Sequence, residues 1–262
     1  MAISGSNPQP AVALPSDDVA YRCTVSMTTE DPEYPATHLL DPDPANLTKS
    51  TANDTDITIE ALDLTGAPVA VDVVAVAIFN TNADVALFDG TVPLYLPPVD
   101  AEGQRQHGWF NVAGARPTQS SYTIHLQRGG AGSSDIVWVG RIALVTALRP
   151  LNLRYGLKVG RNRPGTVQIT TRLGTVLTSP SGIRTRWAEG EVGLLEDQAL
   201  LDALEANAQG IQLPFLFVPD EEQNSAWWVR LRANDYSVEI PDLDGRRIPF
   251  RVDELSNGPV DG

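Results

Sequence analysis

The chain has 262 residues, 42% of them hydrophobic, with 21 Gly, 20 Pro, one Cys and a formal net charge of −14. That length suits two ordinary domains with proper cores, and the Gly and Pro content suits short strands joined by tight turns. The charge excludes indiscriminate nucleic-acid binding by the whole surface, and the lone Cys23 excludes an intramolecular disulfide.

No stretch approaches the roughly 18 apolar residues of a transmembrane helix. The N-terminus also lacks the positive region and apolar run of a secretory signal, so the chain is expected to be made in a cytoplasm. Residues 1–16 are polar and Pro-rich, which predicts a flexible arm, or one that orders only against a partner. Residues 21–27 alternate and read as a strand, in which Cys23 is a small buried apolar residue rather than a nucleophile. Residues 28–56, crowded with Pro, Asp, Asn and Thr, read as a long ordered loop anchored by Leu39 and Leu40.

Strands follow at 57–64, 71–79, 92–96, 108–112, 122–126 and 136–145, with Gly, Pro and Asn turns between them. The run at 71–79 is almost continuously apolar and predicts a strand buried on both faces. Residues 17–148 are therefore expected to form a β-sandwich. The boundary falls at Pro150, where the charge changes sign. Residues 17–147 carry 17 acidic side chains against 6 basic ones. Residues 149–188 carry Arg149, Arg154, Lys158, Arg161, Arg163, Arg172, Arg184 and Arg186 with no acid at all.

The second region, 149–262, gives strands at 166–172, 183–188, 214–219, 227–231, 236–240 and 248–252. One amphipathic helix is expected at about 196–208, with Leu200, Leu201, Leu204 and Ala208 as its stripe. The fold class is mainly β: a jelly-roll-like sandwich, then a β-rich domain with one helix.

No catalytic constellation forms in the sequence. His38, His107 and His125 are scattered, and the acids Asp41, Asp43, Asp54 and Asp56 lack the glycine and terminal glutamate of an EF-hand loop. Ser121 and His125 fall near opposite ends of one strand with no adjoining carboxylate. The loops at 129–132 and 161–165 precede no helix and do not make a phosphate cradle. Trp138 reads as core. Trp227 and Trp228 point to opposite faces of a strand, which leaves one of them open to solvent.

The N-terminal region resembles the discoidin or galactose-binding jelly-roll superfamily in the form found in phage tail proteins. The resemblance is carried by Tyr34-Pro35-Ala36 to Asp41, Asp63-Leu64-Thr65-Gly66, Ile78-Phe79-Asn80-Thr81-Asn82 and Val139-Gly140-Arg141. Thr65 interrupts the Asp-Leu-Gly of that pattern. The C-terminal region is similar to minor and distal tail proteins of long-tailed phages, through Trp187-Ala188-Glu189, the helix, 213–220 and 250–255.

The resemblance implies a non-enzymatic virion protein at the tail tip, often a ring, with tube, hub and tape-measure proteins as partners. No cofactor, no metal, no membrane insertion and no specific nucleic acid are expected. The base-rich strip, with Arg149, Arg154, Lys158, Arg161 and Arg163, is expected at a subunit interface. The alternative is a carbohydrate-binding module for host glycans, using Asn80, Asn82 and Trp109.

Overall fold

A computed structural model describes residues 10–43, 46–94, 96, 108–111, 118–129, 133–151, 157–161, 166–170, 176–180, 186–192, 199–200, 202–204, 206, 213–220, 225–231 and 248–255. In chain order the strands are β1 (Ala11–Ala13), β2 (Cys23–Met27), β3 (Thr48–Lys49), β4 (Asp54–Ala61), β5 (Ala75–Thr81) and β6 (Val85–Phe88). Then come β7 (Val92–Pro93), β8 (Gly108–Asn111), β9 (Ser121–Gln127), β10 (Trp138–Val145), β11 (Arg149–Pro150) and β12 (Lys158–Arg161). The last six are β13 (Thr166–Thr170), β14 (Val176–Pro180), β15 (Arg186–Val192), β16 (Phe215–Asp220), β17 (Ser225–Leu231) and β18 (Ile248–Glu254). The chain is mainly β, as the sequence indicates.

The sandwich has a five-stranded sheet, β2-β4-β9-β6-β7, facing a four-stranded one, β3-β10-β5-β8. The chain changes sheet at nearly every connection, in jelly-roll fashion. Strand β4 shows why its sheet forms: Thr55, Ile57, Ile59 and Ala61 are buried, while the residues between them are polar and reach water. Its neighbour β9 repeats the alternation with Tyr122, Ile124 and Leu126 inward. One face on a core and one in water is the usual condition of an antiparallel sheet.

Strands β5 and β10 do not alternate, because both of their faces are covered. Val76, Ile78, Ile142 and Leu144 point into the sandwich core. Ala75, Ala77, Phe79, Ala143 and Val145 point the other way, into a seam with the second region. Across that seam lies a seven-stranded antiparallel sheet ordered β11-β1-β16-β17-β18-β15-β12. Leu216, Val218, Ala226 and Trp228 face the seam. Phe215, Phe217, Trp227, Val229, Phe250 and Val252 face the other side, where Leu200, Ala203 and Leu204 pack against them. Residues 199, 200, 202–204 and 206 are helical, within the expected helix.

Several expectations need correcting, among them the loop at 28–56, which contains a 3-10 turn at Ala36–Leu40, strand β3 and the start of β4, and the strand at 57–64, which ends at Ala61. Residues 10–14 are not a flexible arm: Ala11, Val12 and Ala13 are fully buried in β1, paired with β11 on one side and β16 on the other. The partner that orders this segment is the chain's own second region. The sandwich is thus inserted between β1 and the rest of the seven-stranded sheet. Its entry and exit lie side by side, joined where Thr146 N–H donates to the Asp17 carbonyl at 3.0 Å. Residues 21 and 22 also leave the first expected strand and form a 3-10 turn, Val19–Arg22, which Asp18 caps by accepting from Ala20 N–H. The expected strand at 236–240 and residues 1–9 lie outside the described residues.

Candidate functional site

The base-rich segment begins at one edge of the seven-stranded sheet. Arg149 lies in β11, and both ends of its guanidinium bond the Asp17 carboxylate, Nη2 at 3.1 Å and Nη1 closer still. Pro150 is tolerated there because β11 is an edge strand and needs no second ladder. Arg149 is therefore spent on holding the sandwich's entry to its exit.

The opposite edge is β12, about six strand spacings of roughly 4.8 Å away. Lys158 is largely exposed and lies 3.6 Å from Glu189. Val159 is 53% exposed, and Gly160 sits so close to the Trp187 indole that a Cβ there would approach it to 2.4 Å. Arg161 pairs in register with Arg186. Arg186 donates to Glu254 through Nε at 2.8 Å and stacks 4.5 Å from the Trp227 ring centre. The hairpin β13–β14 forms a two-stranded sheet of its own. Arg154, Arg163, Arg172 and Arg184 lie outside the described residues.

The expected glycan residues are placed differently. Asn80 and Asn82 are each 1% exposed. The Asn82 amide is used inside the chain: Nδ2 donates to the Ile136 carbonyl at 2.9 Å, and Oδ1 accepts from Trp138 N–H at 2.8 Å. This loop fixes the start of β10 rather than offering a polar rim. Trp109 occupies β8, opposite Ala77 in β5, and its side chain lies outside the described residues. Both Trp227 and Trp228 are buried, because each face of their sheet is covered. The expectation of an open indole there is corrected. Trp138 is core, as expected.

His125 Nδ1 lies 2.9 Å from Asp56 Oδ1 on the outer face of the five-stranded sheet, so a carboxylate does adjoin this histidine, against the expectation. Ser121 is four residues up the same strand, about 13 Å away at the usual rise. His38 Nδ1 bonds the Leu47 carbonyl, and Asp41 accepts from Asp43 N–H and the Asn46 amide. Among the described residues no three His, Cys, Asp or Glu gather into a metal-binding group. No helix among them is long and apolar enough to cross a membrane.

The most elaborate polar arrangement was not found in the sequence. Arg141 is fully buried in the middle of β10. Its Nη2 donates to Asp18 Oδ2 at 2.6 Å, and Nη1 donates to the Leu39 carbonyl at 2.9 Å. Its guanidinium carbon lies 5.0 Å from the ring centres of both Tyr21 and Trp228, one from each side of the seam. Tyr21 O–H donates to the Pro214 carbonyl, and Trp228 Nε1 donates to the Pro42 carbonyl. Burial raises the Asp18 carboxyl above its usual range, opposed by the Arg141 charge. The signal in the sequence is one arginine inside the otherwise apolar run 136–145.

No family model and no curated protein matches the chain. Solved structures similar to it include reduced XRCC1 bound to the catalytic domain of DNA polymerase beta, at 12% identity and a TM-score of 0.37, covering 50% of this chain and 99% of that one. A family 32 carbohydrate-binding module from C. perfringens NanJ, in complex with galactose, gives 14% identity and a TM-score of 0.36, covering 51% of this chain and 98% of that one. SpGH29 gives 15% identity and a TM-score of 0.34, covering 51% of this chain and 29% of that one. Likenesses this distant assign neither ligand nor activity.

Proposed function

We propose that this chain is a non-enzymatic structural subunit of a phage tail tip that assembles with copies of itself. The supporting observation is the base-rich far edge of the seven-stranded sheet. In a chain of net charge −14, the strand at that edge carries Lys158 and Arg161 and leaves Val159 half exposed. A strand at the edge of the described sheet that carries one sign of charge favours a single mode of packing against an acidic neighbour.

The test is the mass of the purified chain by light scattering at low and high salt, with images of any assembly. The expected result is a closed ring that loosens as salt rises, and Arg161→Gln with Arg163→Gln should weaken assembly and flatten its salt dependence. A monomer at every salt, binding a sugar array, would overturn this reading in favour of glycan attachment.

A further inference from the structure

The face of the seven-stranded sheet that meets the sandwich changes character part-way across. On β16 and β17 it is apolar, with Leu216, Val218, Ala226 and Trp228 in the seam. Side chains alternate along a strand, so two residues beyond Trp228 the same face of β17 carries Arg230. In β18, the alternation that brings Leu255 to the seam cluster puts Asp253 and Arg251 on this face as well. The strand registers then carry the face outward. Asp253 stands between Arg230 and Trp187, and Arg251 stands opposite Glu189. Strand β12 sets Gly160 opposite Trp187 and Lys158 opposite Glu189. The apolar seam face thus continues as a polar shelf with one indole in it.

The indole has a seat of its own. Trp187 is half-buried, and it lies so close over Gly160 that only a residue without a Cβ fits there. The Arg251 guanidinium carbon is 5.0 Å from its ring centre. Around it the charges alternate in sign but stand apart. Arg251 Nη1 lies 3.7 Å from Glu189 Oε2, and Arg251 Nε lies 3.8 Å from Asp253 Oδ1. Lys158 Nζ lies 3.6 Å from Glu189 Oε1. These separations exceed hydrogen-bond length. The buried Nε of Arg251 and of Arg230 has no hydrogen-bond partner among the described residues. The same sheet closes an ion pair tightly elsewhere, where Arg186 Nε reaches Glu254 at 2.8 Å. The shelf is also open to water: the Glu189 and Asp253 side chains are 38% and 35% exposed.

The geometry points to a binding site for a neutral saccharide on this shelf. An anion brought to Arg251 meets the Glu189 and Asp253 carboxylates beside it, and a cation brought to either carboxylate meets a guanidinium. A hydroxyl is repelled by neither, because it both donates and accepts. Set between Arg251 and Glu189, or between Arg251 and Asp253, a hydroxyl accepts from the guanidinium and donates to the carboxylate. Neighbouring hydroxyls on one ring can fill both gaps. Both are charge-assisted hydrogen bonds, the stronger kind. The exposed part of the Trp187 indole supplies apolar surface for the C–H groups of the same ring. The inference does not depend on assembly, and it places the sugar on the second region rather than at Asn80 and Asn82.

The experiment offers the full-length chain an array of immobilised neutral oligosaccharides and an array of uronate-bearing ones. The chain should be retained by neutral sugars and not by the uronates. Glu189→Gln keeps the shape of the side chain and removes its charge. It should melt as wild type does and bind the best neutral sugar about tenfold more weakly or worse, read by titration calorimetry. Gly160→Ala removes no polar group but pushes the indole off its seat, and it should weaken binding as well, with a melting curve to check its fold. Failure to bind any neutral sugar overturns the inference. Retention by the uronates alone overturns it too, since the shelf would then be an anion site. Neutral sugar bound equally well by wild type and Glu189→Gln would place the site elsewhere in the chain. Light scattering of the same samples reads assembly separately, so either conclusion can fail without the other.

Discussion

The molecule has two interiors between sheets, built on different plans. The sandwich core is filled by large side chains spread over both sheets: Ile57, Ile59, Phe88, Tyr122, Ile124, Ile142 and Leu144. Among the described residues, the seam between the sandwich and the seven-stranded sheet has eleven buried members, six of them alanine. Alanines let two sheets approach closely but bury little area each. The seam therefore depends on a few large groups, Phe79 against Trp228 at 5.4 Å and Arg141 between two rings. A distributed core loses stability gradually with each truncation, whereas a seam with few keystones fails at named residues.

The largest expected effect follows from β1. Deleting residues 1–14 removes a strand from inside the seven-stranded sheet and uncovers β11 and β16 together. The second region should then lose its native near-ultraviolet dichroism, to which the buried Trp227 and Trp228 contribute, and should bind a hydrophobic dye. A deletion that melts as cooperatively as the full chain would show that the seam does not need β1. The same strand teaches how much was legible in the sequence. Strand β4 and the doubly covered run in β5 were legible as strands, though displaced from the expected 57–64 and 71–79, because solvent or its absence writes its period into the residues. Strand β1 was not, since Ala-Val-Ala is too short to show a period and its partners lie some 140 and 200 residues away. Strands β6, β12 and β14 were missed for the same shortness and for their turn-rich surroundings.

Arg141 comes next in size. Arg141→Ala leaves Asp18 buried without its counter-charge, at a cost of about 3–5 kcal/mol. The pH dependence gives the sign. Burial already raises the folded Asp18 carboxyl, and losing the cation raises it further. A raised folded value means the folded state holds its proton more tightly than the unfolded one. The relative stability this confers is present below the unfolded value of roughly 3.9 and is lost as pH rises through the folded value. The deficit of Arg141→Ala against wild type should therefore be largest at neutral pH and shrink on acidification, in urea titrations at several pH values. Adding Asp18→Asn should restore part of the loss at neutral pH. A deficit that does not change with pH would mean that Arg141 acts through packing on the rings rather than through Asp18. The candidate site shows the same limit of sequence reading. A charged residue inside an apolar strand is visible at once, but its meaning depends on Asp18, Tyr21 and Trp228, which no local pattern connects to it.

Cys23 offers the smallest effect and a direct reporter on the sandwich side of the seam. Its Sγ–H donates to the Ala20 carbonyl, and burial, assisted by the Asp18 charge, pushes the thiol up to about 12. Only the thiolate attacks a disulfide reagent, so at pH 8 the folded chain holds almost none of the reactive form. Labelling by an aromatic disulfide should be more than about a hundredfold slower in the folded chain than in urea, where the thiol returns to its ordinary value near 8.5. The rate in Arg141→Ala then separates the two interiors. If the seam loosens alone, Cys23 labels faster while the far-ultraviolet spectrum of the sandwich is unchanged. If labelling stays slow while the variant is destabilised, the sandwich holds this corner without help from the seam, and the keystone account of Arg141 is wrong.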